Sequence, residues 1–222
     1  MSDSAGLRIF SVAAVPRGKR ALDLLLIFIS FPLWLSLMVM VSAWIRLVSV
    51  GPVFYRQQRV GRCGQLFWIF KFRSMKLNVA THVHEKHVAS LIASDAPMTK
   101  LDAAGDNRLI PMGRLIRAVG LDELPQIFNV MRGEMSLVGP RPCTPHEYQY
   151  YRPSYLKRFK VAPGLTGYWQ VHGKNRTTFK QMMTMDLLYA EKMSPMLDFI
   201  ILLKTGPALL AQTVAVRPQR AT

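Results

Sequence analysis

Leu121-Asp122-Glu123-Leu124-Pro125-Gln126-Ile127-Phe128-Asn129-Val130-Met131-Arg132-Gly133-Glu134-Met135-Ser136-Leu137-Val138-Gly139-Pro140-Arg141-Pro142 switches from helical to extended patterning within one short run. Leu124, Ile127, Phe128 and Met131 recur at helical spacing and predict a buried stripe, with Gly133 as the stop. In that reading Asp122 is the N-cap, and Glu123 and Pro125 lie in the first turn, where the N–H that proline lacks has no partner to lose. Met135 to Val138 then reads as a buried strand, and the prolines on either side of Arg141 fix its backbone. Helix passing directly to strand points to an α-rich α/β fold.

Immediately upstream, Met112, Leu115, Ile116 and Val119 share one helical face, Arg114 and Arg117 another, and Gly120 can end the helix. The Asp122–Glu123 pair therefore stands between Arg117 and Arg141. As structure, acidic residues at a helix start cap free amides and oppose the dipole. As chemistry, an ionised Asp122 can hold a metal or attack phosphorus, and Arg141 can grip a phosphate with both guanidinium nitrogens. The residues alone leave both readings open.

Downstream, Thr144-Pro145-His146-Glu147 spells a capping box opening a helix that would carry Tyr148, Tyr151 and Tyr155 as core or interface anchors. In Val161 to Arg176 the glycines permit close backbone approach, with Lys174 and Arg176 near a turn. Upstream, Gly51-Pro52 precedes a short strand at Val53-Phe54-Tyr55, a turn at Gly61–Gly64 and a second strand over Leu66 to Phe72. Arg56, Arg59, Lys71 and Arg73 decorate this hairpin, and a solvated or leaflet-facing surface accounts for most of them. His82, His84 and His87, in the segment from Asn78 to Asp106, lack the spacing of a zinc helix. A surface insertion with one amphipathic helix through Val88, Leu91 and Ile92 fits better.

From Leu24 to Ile45 the chain has no charge, a length of roughly 33 Å as a straight helix, enough to span a bilayer. Pro32 predicts a kink. Arg8, Arg17, Lys19 and Arg20 lie before the segment and Arg46, Arg56, Arg59 and Arg62 after it, so the usual positive-inside asymmetry vanishes. We expect a re-entrant helix with both ends on the cytoplasmic face. Residues 1–18 form a tail, 19–50 the membrane-inserted helix, and 51–222 a cytosolic domain. That domain includes an interfacial helix at about 195–212, apolar apart from Asp198 and Lys204 and interrupted by Pro207.

Twenty-nine Lys and Arg against 13 Asp and Glu leave a net charge of +16, which favours polyanionic partners without choosing among them. Cys63 and Cys143 form no metal-type pair and suit a reducing compartment.

Taken together, the hydrophobic segment, Gly51-Pro52-Val53-Phe54, Lys71-Phe72-Arg73-Ser74-Met75, Leu121-Asp122-Glu123-Leu124-Pro125-Gln126, Ser136-Leu137-Val138-Gly139-Pro140-Arg141-Pro142 and Pro163-Gly164-Leu165-Thr166-Gly167 follow one another in fixed order. This arrangement, over residues 19 to about 205, resembles the bacterial sugar transferases, monotopic polyprenyl-phosphate phosphoglycosyl transferases. The resemblance implies transfer of a sugar-1-phosphate from a nucleotide diphosphate sugar, a UDP-sugar here, onto undecaprenyl phosphate. UMP is released, Mg²⁺ is needed, and the place is the cytoplasmic face of the bacterial inner membrane. It further implies that Asp122 attacks the sugar-linked phosphorus and forms a phosphosugar ester. Glu123 would assist metal binding with Asp122, and Arg117, Arg141, Lys174, Arg176, Lys71 and Arg73 would bind phosphate. Exopolysaccharide or another surface glycan is the expected product, with membrane lipid a partner and nucleic acid not. Gly173-Lys174-Asn175 stands where the family commonly has Gly-Arg-Asn, which keeps the charge but loses the bidentate fork. The family's helix-breaking proline falls near Ser36, one turn beyond Pro32. A glycosyltransferase releasing a nucleoside diphosphate and a non-enzymatic basic membrane tether are the rival readings.

Overall fold

The uncharged segment does not form one kinked helix but two, α1 (Arg17–Ile29) and α2 (Phe31–Val48), parted at Ser30. The computed structural model describes residues 15–77, 82–98 and 108–215. Pro32 sits in the first turn of α2, where its ring is tolerated; in a continuous helix it would clash with the Phe28 carbonyl, so the break falls just where the proline predicts one. Ser30 Oγ donates to the Leu26 carbonyl at 2.7 Å, and Trp34 Nε1 folds back onto the Ile27 carbonyl at 3.0 Å. The Ile27 carbonyl near the end of α1 thus gains a partner, while that of Leu26 also keeps the Ser30 amide at 3.0 Å.

One stripe of α2, Trp34, Met38, Val41 and Ile45, is buried in the main core with Ile27, Phe67, Ile69, Phe72, Ile116 and Val130. Its other faces expose Leu33, Leu35, Val39, Met40 and Leu47. By length and composition α2 could cross a membrane.

Polar contacts fasten α1. Lys19 Nζ, buried, donates to the Val138 carbonyl at 2.9 Å and meets Asp198 Oδ2 at 2.5 Å. Arg20 caps two carbonyls at the end of the next core helix, those of Val130 and Met131. Asp23 accepts from Ser136 Oγ at 2.8 Å and from the Leu137 amide at 3.2 Å. Lys19 and Arg20 are therefore held by protein groups.

The expected hairpin is present as antiparallel β1 (Phe54–Val60) and β2 (Leu66–Phe72), in register from Phe54↔Phe72 to Val60↔Leu66. Next come α3 (His82–Ser94), which buries Val88 and Leu91, then α4 (Gly113–Val119) and α5 (Ile127–Arg132). The stripes expected on α4 and α5 are rotated. Met112, Leu115, Phe128 and Met131 are exposed, while Ile116, Ala118, Ile127 and Val130 face the core. Both helices are too short to bury a full stripe, and α5 turns Phe128 toward Trp34, with ring centroids 6.1 Å apart.

β3 (Ser136–Val138) pairs in parallel with β4 (Gly164–Thr166). Here the glycines permit an approach of backbone to backbone. A Cβ on Gly164 would stand 2.0 Å from the Gly139 amide nitrogen, and one on Gly167 2.2 Å from the Gly139 carbonyl oxygen. The Thr144 capping box forms but opens only one turn, α6 (Pro145–Tyr148). Tyr151 and Tyr155 follow outside that helix, Tyr155 in a 3₁₀ turn over Pro153–Lys160, and both pack against Phe179. The chain continues through α7 (Tyr168–His172), α8 (Phe179–Lys192) and α9 (Pro195–Ala215), which runs on through Pro207. α9 exposes Met196, Phe199, Leu203 and Leu210. Helices dominate, so the fold is α-rich as expected. Among the described residues the strands form two separate two-stranded sheets.

Candidate active site

Asp122 lies inside a 3₁₀ turn, Leu121–Gln126, and is not a helix cap. Gly120, at φ 78°, ends α4 and starts this turn at once, so no residue is left over for capping. Pro125, having no N–H, keeps the turn from becoming regular α-helix until Ile127. Leu121 and Leu124 pack against the main core, which holds the turn against β2. Asp122 is 8% exposed.

Its neighbour Glu123 accepts from Lys71 Nζ at 2.8 Å, tying the turn to the end of β2. Three residues further on, Ser74 Oγ accepts from Arg117 Nη1 at 3.4 Å, so α4 delivers Arg117 to the same strand end. Arg73, between them in sequence, is buried and donates to the Val50 and Ser49 carbonyls at 2.6 and 3.0 Å. Its observed bonds brace the exit from α2.

Arg141 comes from the loop after β3. Its Nη1 donates to Glu147 Oε2 at 3.1 Å, and 29% of its side chain remains exposed. Glu147 raises Arg141's hold on its proton against the opposing effect of burial, and Glu123 adds to it. Burial alone would push the Glu147 carboxyl up, but Arg141 and Arg59 outweigh it and hold it below the usual range. Arg59 is lowered by burial and by Arg141, partly offset by Glu147 and Glu123. Glu123, Arg141, Glu147 and Arg59 thus share one electrostatic neighbourhood.

Arg59 is an exception to the solvated or leaflet-facing surface expected for most of the hairpin cations: it is 5% exposed and donates to the Pro142 carbonyl at 3.0 Å. The signal was present in the strand period. Arg59 and Lys71 fall on the same side of the hairpin as Phe67 and Ile69, whereas Arg56 falls on the other. Arg158 carried no such signal. Buried against Asp186, it donates to the Arg141 carbonyl at 2.7 Å and helps fix that loop. Lys174 and Arg176 stand in a 3₁₀ turn between α7 and α8, with Lys174 at φ 38° and Arg176 exposed.

Both cysteines are buried and free, and burial pushes the Cys143 thiol up to about 11. The side chains of His82 and His84 lie outside the described residues. Among the described residues no three His, Cys, Asp or Glu side chains gather as a metal cluster.

Cations flanking two adjacent carboxylates on a rigid turn suit an anionic, phosphate-bearing substrate. Residues 15–212 match the family described as bacterial sugar transferase. The chain is 33% identical over 191 residues to the exopolysaccharide production protein ExoY of Sinorhizobium fredii, covering 86% of this chain and 84% of that protein. It is 37% identical over 205 residues to the UDP-glucose:undecaprenyl-phosphate glucose-1-phosphate transferase of Caulobacter vibrioides, covering 89% and 71%. The undecaprenyl-phosphate galactose phosphotransferase of Salmonella typhimurium is 36% identical over 197 residues, 86% of this chain and 40% of that one. With nearly the whole chain matched, this protein belongs to the bacterial sugar transferase family.

Proposed function

We propose that this protein transfers a sugar-1-phosphate from a UDP-sugar to undecaprenyl phosphate at the cytoplasmic face of a bacterial inner membrane, starting a surface glycan. The observation that carries this reading is Asp122, held in a proline-stiffened turn beside the Lys71–Glu123 pair. An Asp122 oxygen attacks the sugar-linked phosphorus; a P–O bond to Asp122 forms while the bond to UMP breaks, and the electron pair leaves with UMP. An oxygen of the lipid phosphate then attacks the same phosphorus, freeing Asp122 and giving a polyprenyl diphosphate sugar. Arg117 and Arg141 hold phosphate oxygens through both steps, with Lys174 and Arg176 as further cations and Arg59 backing Arg141.

Asp122 and Glu123 offer the hard oxygen donors that Mg²⁺ takes alongside phosphate oxygens, so the donor set fits that ion. When bound, Mg²⁺ would neutralise diphosphate charge.

The same reading makes α1 and α2 a re-entrant element. Its support is that Lys19 and Asp23 on α1 and Ile45 at the end of α2 are all anchored in one domain. The test incubates detergent-solubilised protein with Mg²⁺, undecaprenyl phosphate and a panel of UDP-sugars. UMP release that disappears in Asp122→Asn and in EDTA supports the proposal. UDP release points to glycosyl transfer instead. No release across the panel, with salt-sensitive polyanion binding that survives Asp122→Asn, leaves a membrane tether.

A further inference from the structure

Helix α9 touches three segments of the candidate site. Asp198, Ile201, Thr205 and Leu209 recur at helical spacing along one of its faces. Asp198 holds Lys19, and Ile201 is fully buried beside Val138 and Tyr189. Thr205 Oγ1 lies 2.8 Å from Thr166 Oγ1, and the Thr166 carbonyl accepts from the Gly139 amide at 2.9 Å, two residues before Arg141. Leu209 closes on Gly120, two residues before Asp122; a Cβ on that glycine would stand 3.3 Å from Leu209 Cδ2.

Lys204, next to Thr205, reaches the third segment. Its Nζ donates to His172 Nε2 at 2.9 Å, while His172 Nδ1 donates to the Tyr168 carbonyl at 2.9 Å. An ammonium can only donate and a carbonyl only accept, so the two partners select one neutral tautomer of the imidazole. The ring also lies against Tyr168, with centroids 4.2 Å apart. Gly173 and Lys174 follow directly. Lys174 is at φ 38°, a backbone conformation that persists outside glycine only where neighbouring groups impose it. On the inner side, the Trp169 indole donates to Thr177 Oγ1 at 2.6 Å, and Thr177 Oγ1 donates to the Lys174 carbonyl at 3.0 Å. On the outer side, the hold on the turn is Lys204 acting through His172. A lysine carries a point charge without a planar fork, so the aim of Lys174 depends on the backbone that carries it.

We infer that Lys204 and His172 are positioning residues for the donor diphosphate, through which α9 fixes the turn presenting Lys174 and Arg176. The inference rests on the proposed function, in which those two cations hold substrate phosphate. Lys204 and His172 act through them and not on the reacting atoms.

The experiment is a double-mutant cycle on the detergent-solubilised full chain, pairing Lys204→Met with Lys174→Met. It reads the KM for the UDP-sugar and, without turnover, the Kd for UDP by calorimetry. Lys204→Met is expected to raise both about fivefold with kcat within about twofold. The unfolding midpoint should not move, because the Lys204 bond is exposed. In the Lys174→Met background the same substitution should change either constant by less than about twofold, since the ammonium it aims is gone. Lys204→Arg, which returns a donor to His172, should recover most of the affinity. A purely electrostatic effect of the Lys204 charge would cost the same in both backgrounds. Equal losses in the two backgrounds, or no loss in Lys204→Met, overturn the positioning assignment, and UMP release by the wild type then leaves the transferase reading standing. Coupled UDP affinities in a wild type that never releases UMP do the reverse, keeping the turn as a diphosphate site without the transferase reading.

Discussion

Lys19 Nζ lies 2.5 Å from Asp198 Oδ2, joining residues near opposite ends of the chain, and both side chains are nearly inaccessible. The Tyr189 hydroxyl donates to the other Asp198 oxygen at 2.6 Å, so the carboxylate has partners on both sides. Lys19→Met leaves that carboxylate buried without its cation, which costs about 3 kcal/mol or more. We predict a marked fall in the thermal unfolding midpoint in detergent, with much of it recovered in Lys19→Met/Asp198→Leu. Equal loss in the single and double variants would show that packing, and not the unbalanced charge, is responsible.

Glu147 makes a pH-dependent contribution. Its folded pKa lies below the ordinary 4.5, so its ionised form stabilises the fold above that value, and the gain disappears as pH falls through the lowered folded value. Glu147→Gln should cost about 2 kcal/mol at neutral pH. The gap between wild type and variant should narrow below pH 4.5. Unfolding midpoints measured at a series of pH values check this, and a gap that widens in acid would contradict the sign.

Arg141 is held by Glu147, by two flanking prolines and through its own carbonyl by Arg158. Arg141→Lys keeps the charge and loses the planar fork. We expect kcat/KM for the nucleotide sugar to fall about a hundredfold, roughly 2.7 kcal/mol, with little change in stability. A variant within threefold of wild type would remove Arg141 from the phosphate site.

Gly164→Ala drives a methyl group into the Gly139 amide. Overpacking of this kind costs at least about 1–3 kcal/mol, and rigid backbone on the other side places it at the upper end. The β3–β4 pair should open, with loss of the folded fraction on size exclusion. Normal elution and activity would mean that the two strands can move apart freely.

For topology, Gly18 has open space around it and Val50 is exposed, so Gly18→Cys and Val50→Cys are readily tolerated. A membrane-impermeant maleimide should label both from the cytoplasmic side only, the native thiols being buried. Labelling of the two from opposite sides would establish a straight span.

Wherever one residue's neighbours in sequence decide its shape, the sequence is readable. The hairpin turn at Gly61–Gly64, the stops at Gly120 and Gly133 and the Thr144 capping box all form where local chemistry predicts. The short helices turn other faces inward than their own periodicity predicts, because α4 packs against α9 and α5 against α1 and β2, all far away in sequence. Asp122 was placed one structural step wrong for a local reason, since Gly120 and Pro125 together favour a tight 3₁₀ turn over a capped helix. Within the candidate site the Asp122–Glu123 pair and its flanking arginines were legible as a motif. The bonds of Lys71 to Glu123 and Arg59 to Pro142 depend on tertiary contact and were not.

The attachment of α1 also has a consequence for biosynthesis. Lys19 and Asp23 leave the ribosome more than a hundred residues ahead of their partners Ser136, Leu137, Val138 and Asp198. Chains emerge at about 5–20 residues per second, so α1 waits seconds for its binding partners. During that interval a chaperone or the bilayer itself must shelter the leucines and phenylalanines of α1 and α2. Under the proposed membrane reading, the order of synthesis would bring these helices to the bilayer before the domain can close over them.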